Sequence, residues 1–163
     1  VNNAGISPKQ ENGDRLDTLT TDQSIWAEVL QVNLLAPALL TRRLTKSLQK
    51  GQGAVVNVTS IAGTRVHRFA GPAYAASKAA LSTLTRELAS DLGNLGIRVN
   101  AVSPGEIKTE MLSLATANEM IHDIPLHRLG DVEEVASAIY FLCCGSASYI
   151  NGAEIEINGG QHV

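Results

Sequence analysis

In the stretch YAASK a phenol and an amine, Tyr74 and Lys78, stand four residues apart, so on a helix they share one face. An ammonium at about 4 Å, with an effective dielectric near 20, favours a phenolate by roughly 4 kcal/mol, or about three pK units. That would bring a tyrosine from its usual value of about 10 toward neutrality, where it exchanges protons usefully. Taken alone, such a pair is more often a surface contact. Ser60 sharpens the reading: it lies fourteen residues earlier, just past a β-branched run, and its hydroxyl suits a carbonyl or alcohol oxygen placed beside the phenol. Asn33 interrupts the apolar face of LQVNLLAP, a costly place for an amide unless something satisfies it; a helix kink before Pro37 explains it equally well.

These residues need elements to carry them. From Thr20 to Lys50, apolar residues at Ile25, Trp26, Val29, Leu30, Leu34 and Leu35 have the spacing of an amphipathic helix, with Thr20 and Gln23 as a capping box. Ala54 to Val58 reads as a buried strand after Gly51 and Gly53. A helix from Tyr74 to Leu92 stops at Gly93 and Gly96, and IRVNAVSPG repeats strand then turn. After an irregular stretch from Glu106 to Gly130, a helix starts at DVEE, where Asp131 and Glu134 have capping-box spacing, and AEIEINGG closes the chain as a strand. Strands alternating with long helices predict an α/β fold, a parallel sheet covered on both faces. Ligands bind beyond the carboxyl ends of such strands, so Asn2 to Gly5, Thr59 to Ser60 and Ser103 to Gly105 should line one crevice.

Composition narrows the function classes. At 163 residues the chain suits one domain, and 44% hydrophobic with 18% charged residues is ordinary for a globular protein. A net charge of −3, with no basic run longer than TRRLTK, leaves no footprint for nucleic acid or an anionic membrane. Small neutral or anionic substrates remain open. No apolar stretch reads as a membrane span, and a cytoplasmic location is the default expectation. Cys143 and Cys144 are adjacent in an apolar run and read as core filling rather than as a bridge or metal site. His122 and His127, five apart, do not have the spacing of helical metal ligands and read as solvated, so no metal is expected. His67 and Arg68, just before FAGPAY, touch substrate or are simply exposed; the sequence does not choose between these.

NNAG at 2–5, Asn33, Ser60 after VVNVT, YAASK at 74–78, SPG at 103–105 and NGG at 158–160 come in an order and spacing that strongly resembles the short-chain dehydrogenases/reductases. The resemblance spans essentially the whole chain. It implies a Rossmann-type doubly wound parallel sheet and a nicotinamide cofactor, NAD or NADP, with 1–163 as a single partial NAD(P)-binding domain. It also implies a catalytic set of Asn33, Ser60, Tyr74 and Lys78, with Ser60 and Tyr74 meeting the substrate, a ketone or secondary alcohol. Tyr74 would exchange the proton, Lys78 would lower its pKa and bind ribose, and Asn33 would position a relay water. Asn3, Ala4, Gly5, Pro104, Gly105, Ile107 and Thr109, with Tyr74 and Lys78, would border the cofactor. Gly105 is equally a turn glycine. Ala75, Ala76, Ala79 and Ala80 flatten a helix face that commonly packs against another subunit in this family, which implies a homodimer or homotetramer.

The family's opening strand, its glycine-rich TGxxxGxG turn and two further strands do not stand before NNAG in this sequence. With that cradle goes the charge that selects between NAD and NADP. The 163 residues alone are therefore expected to expose a central strand, to fold poorly and to lack turnover. The other reading of the same residues is a non-catalytic oligomerisation or binding module of the same fold.

Overall fold

The computed structural model describes residues 1–108 and 120–163. Among these, β1 (Ala54–Val58), β2 (Arg98–Pro104) and β3 (Glu154–Ile157) form a parallel sheet in the order β1-β2-β3. Val55 pairs with Val99, and Val102 with Ile155. Ahead of β1, Asn2 adds a parallel bridge: its N–H donates to the Val56 carbonyl at 2.9 Å, and its own carbonyl accepts from Val58 at 3.0 Å.

Strand period sets the two layers. Val55 and Val99 face one way, packing with Ala89 and Ile97 against Leu48, Leu88 and Leu92. These leucines come from α2 (Ala36–Lys50) and α3 (Pro72–Gly93). Val56 and Val102 face the other way, against Leu142, Val135 and Ile139 of α4 (Val132–Cys143). Both faces are thus covered by helices, as the apolar, β-branched strands require.

The first helix departs from expectation. It begins at α1 (Gln23–Leu30), and its cap is Asp22, whose side chain accepts from the Ile25 N–H, because Thr20 is occupied with Asp17. Between α1 and α2 lies a π-helical turn, Gln31–Leu35, in which Asn33 is buried. Such turns swell a helix by one residue and kink it. The run Gln23–Lys50 is also long and apolar enough, by length and composition, to cross a membrane, a correction to the sequence reading. In this fold it packs on α3, and its buried Asn33 amide bonds to protein partners. The capping box of α4 forms as expected, through Asp131 and Glu134. Its cysteines do not fill the core: Leu142 takes the inward position, which turns Cys143 outward, exposed and free, and leaves Cys144 half-buried.

Candidate active site

Three loops meet at the carboxyl end of the sheet. Past β1, Thr59 ties the chain to β2 by donating to the Val102 carbonyl at 2.8 Å, and Ser60 then caps a short 3₁₀ turn, Ile61–Gly63, accepting from the Ala62 N–H at 3.2 Å. Gly63 lets that turn sit on α3: a Cβ there would lie 2.8 Å from the Ala79 nitrogen and 3.0 Å from the Lys78 carbonyl carbon. Helix α3 opens with Pro72, its fixed φ suited to a first turn, and this brings Tyr74 beside Ser60. The Ser60 hydroxyl acts on the phenol, easing its ionisation.

The electrostatics of the pair differ from the sequence expectation. Burial pushes the Tyr74 phenol above its usual value, the Ser60 hydrogen bond opposes this, and the Glu106 carboxylate adds to the rise. Lys78 does not draw the phenol down. Its Nζ is 5.6 Å from the Tyr74 ring centroid and donates to the Val58 carbonyl at 2.7 Å, so its charge is directed at the strand end. Burial lowers Lys78 itself to about 8.

Asn33 is fully used. Its Oδ1 accepts from the Ile6 N–H at 2.8 Å, and its Nδ2 donates to the Ile6 carbonyl at 3.0 Å and to Ser77 Oγ at 3.0 Å. Ser77 in turn donates to the Tyr74 carbonyl at 2.7 Å. One amide thereby clamps the loop after Gly5 to the helix that carries Tyr74 and Lys78. In the preceding loop Asn3, Ala4 and Gly5 are exposed, whereas Asn2 is structural, donating to Asn57 Oδ1 at 2.7 Å. A Cβ on Gly5 would come within 3.3 Å of Lys78 Nζ and 3.4 Å of Asn33 Oδ1.

Pro104 ends β2, and Gly105 and Ile107 follow it at the carboxyl end of the sheet, while Thr109 lies outside the described residues. Gly105 is required by close approach, since a Cβ would stand 2.6 Å from the Asn158 Cβ and 2.8 Å from its Cα. The sequence reading passed over Ser77, Gly63 and Glu106 and left His67 undecided; in the fold His67 Nε2 lies 2.7 Å from Glu106 Oε1. Among the described residues no cluster of His, Cys, Asp and Glu suits a metal, and His122 and His127 are exposed.

A family profile described as enoyl-(acyl carrier protein) reductase matches residues 1–162. The chain is 56% identical to Protein FixR of Bradyrhizobium diazoefficiens over all 163 residues, which make up 59% of that protein. A solved oxidoreductase of the short chain dehydrogenase/reductase family from Brucella ovis, in complex with a partially ordered NAD, is 54% identical with a TM-score of 0.79 over 96% of this chain and 63% of its own. A 3-oxoacyl-[acyl-carrier protein] reductase from Brucella melitensis with bound NAD has a TM-score of 0.92 at 34% identity, over 99% of this chain and 60% of its own. The chain spans 59% to 65% of the length of such curated relatives. With a profile match over residues 1–162 and a parallel sheet covered by helices on both faces, the chain belongs to the short-chain dehydrogenase/reductase family.

Proposed function

We propose that the protein carrying this chain is an oxidoreductase that moves hydride between a nicotinamide cofactor, NAD or NADP, and a ketone or secondary alcohol. The observation that supports it most is the buried Lys78, its Nζ 5.6 Å from the Tyr74 ring, on the helix against which the Ser60 turn is seated, at the end of the sheet where ligands of such folds bind. The residues suit the cofactor. Gly5 leaves open the space next to Lys78 Nζ that a side chain would fill, and the exposed Asn3–Gly5 backbone, Lys78, Pro104, Gly105 and Ile107 would hold the nucleotide. When bound, the cofactor supplies or accepts the hydride.

The chain's own groups do the rest. Ser60 holds the carbonyl or alcohol oxygen by hydrogen bonding. Tyr74, a phenol protonated at neutral pH and kept so by its burial, gives its Oη proton to that oxygen during reduction. Lys78, held by the Val58 carbonyl, presents its remaining N–H donors toward the open side at Gly5 and suits ribose hydroxyls. Asn33 fixes this arrangement from behind through Ile6 and Ser77. Tyr74→Phe in the full-length protein is expected to lower carbonyl reduction by at least about 100-fold while nucleotide affinity is retained. Normal single-turnover hydride transfer in that variant would rule out Tyr74 as the proton donor.

A further inference from the structure

Tyr74 sits where a helix is weakest. It lies in the first turn of α3, after Pro72 and Ala73, and the cap residue, Gly71, brings no side-chain acceptor to that turn's free N–H groups. The first bond that closes the turn runs from the Ala75 N–H to the Gly71 carbonyl at 3.0 Å. Lys78, one turn further on, has a second hold, because its Nζ donates to the Val58 carbonyl at 2.7 Å. For Tyr74 the hold lies in its main chain instead: its carbonyl accepts from Ser77 Oγ at 2.7 Å.

Ser77 is more than a local hydroxyl. It is 0% exposed, and while its Oγ donates to Tyr74 it accepts from Asn33 Nδ2 at 3.0 Å. Asn33, 1% exposed, spends its other polar contacts on Ile6, whose N–H it accepts at 2.8 Å and whose carbonyl it donates to at 3.0 Å. One chain of bonds thus runs from Ile6 through Asn33 and Ser77 to Tyr74. It joins the loop after Gly5 to the turn that bears the phenol. Asn33 enters it from the π turn Gln31–Leu35, a rare local geometry that re-aims a side chain. Serine bonded back to the residue three before it also adjusts the pitch of its own helix. Without the Ser77 oxygen a buried Asn33 N–H is left unpaired, and the Tyr74 carbonyl loses its link to Asn33.

We infer that Ser77 is a positioning residue for Tyr74: in place of a helix cap, it carries the Asn33 clamp to the first turn of α3 and so fixes the phenol relative to the loop at Ile6. This rests on the oxidoreductase reading of Tyr74. The test is Ser77→Ala in the full-length protein, with three readouts: nucleotide affinity, single-turnover reduction of 2-butanone and acetophenone, and titration of the Tyr74 phenol. The titration is followed by carbon NMR of ring-labelled tyrosine, the Tyr74 signal being the one that Tyr74→Phe removes. Reduction is expected to fall about 10-fold or more, because a displaced donor is a poor one. Nucleotide affinity should stay within about twofold, since Val58 still holds Lys78. The phenol, kept above its usual value by burial, should titrate closer to that value once the turn loosens. In a Tyr74→Phe background the same substitution should cost less than about twofold more, whereas general damage to the fold would cost as much there as in the wild type. If Ser77→Ala does not fold, Ser77→Cys, close in size but a weak donor, carries the same comparison with a smaller fall. An unmoved Tyr74 titration, an unchanged rate in a protein that turns over, or a loss that persists undiminished beside Tyr74→Phe overturns the assignment. A wild type that reduces neither ketone, with the titration still moved by Ser77→Ala, would keep the positioning role and sink the oxidoreductase reading.

Discussion

Burial and the Glu106 carboxylate both keep the proton on Tyr74. Reduction is therefore expected to be insensitive to pH near neutrality, while alcohol oxidation, which needs the phenolate, climbs toward alkaline pH. A carboxylate repels a phenolate, so removing its charge by Glu106→Gln should lower the phenol's pKa. The rise in 2-butanol oxidation should then move to lower pH in a stopped-flow profile, and an unmoved profile would mean that Tyr74 is not the titrating group. Lys78, lowered to about 8 by burial, has a second consequence. Between about pH 8 and its usual 10.5 the unfolded chain binds more protons than the folded one, so folding stability contributed at this site rises across that window. The cost of burying the charged form is roughly 3 kcal/mol and is fully present below pH 8. Urea midpoints of wild type relative to Lys78→Met should accordingly improve from pH 7 to 10; a constant difference would show that Lys78 is not so desolvated. Tyr74, Lys78 and Ser60 were legible because their types and spacing carry chemistry within a short window. The His67–Glu106 contact was not, since 39 residues separate the partners and only the fold joins them. The direction of the Tyr74 shift was misread for a related reason: helical spacing brought the ammonium near, but the Val58 carbonyl that claims it belongs to another element.

At the level of elements, strand and helix positions follow from periodicity, and β1 and the capping box of α4 fall where the pattern puts them. The junction of α1 and α2 does not. An apolar run with one amide reads as a single helix, because nothing local says that Asn33 will find Ile6 and Ser77 and that a π turn will aim it there. Pro37 contributes locally, having no N–H to offer the Asn33 carbonyl. Gly63 was equally silent, since its reason is the backbone of α3, which the sequence does not place against it. That contact yields an expected outcome. In Gly63→Ala the new methyl meets main-chain atoms of Lys78 and Ala79, which cannot move aside as a flexible side chain would. The Ser60 turn must lift from α3, with a loss of roughly 1–3 kcal/mol by chemical denaturation. Carbonyl reduction should fall more than nucleotide affinity does, because Ser60 moves relative to Tyr74 while Lys78 stays on its helix. Equal losses in both would place the damage in the helix.

For the molecule as a whole, the sheet clothed on both faces was the securest inference, since continuous apolar strands between long helices admit few other arrangements. How surfaces are used is harder to read, because exposure depends on which side of each helix the core claims. The small-residue face of α3 illustrates this. Ala75, Ala79 and Ala80 are half-buried, Ala76 is exposed, and Ala75, Ala76 and Ala79 line a groove of about 450 Å³ with Ala62, Gly63 and Thr64. A groove floored by methyl groups allows a second helix to approach closely, and the π turn and α2 also leave Leu35, Leu39, Leu40 and Leu44 about half exposed, at 47% to 51%. If copies of the chain meet along α3, one long cation at the exposed position should be enough to part them. Ala76→Arg keeps a strong helix former and touches none of the residues assigned to substrate or nucleotide, so the fold should stand. Its full-length form is expected to sediment as a smaller species than the wild type, with an unchanged circular dichroism spectrum. A mass equal to that of the wild-type assembly would exclude the α3 face as the contact and direct attention to α4, where Tyr140 is 74% and Phe141 40% exposed.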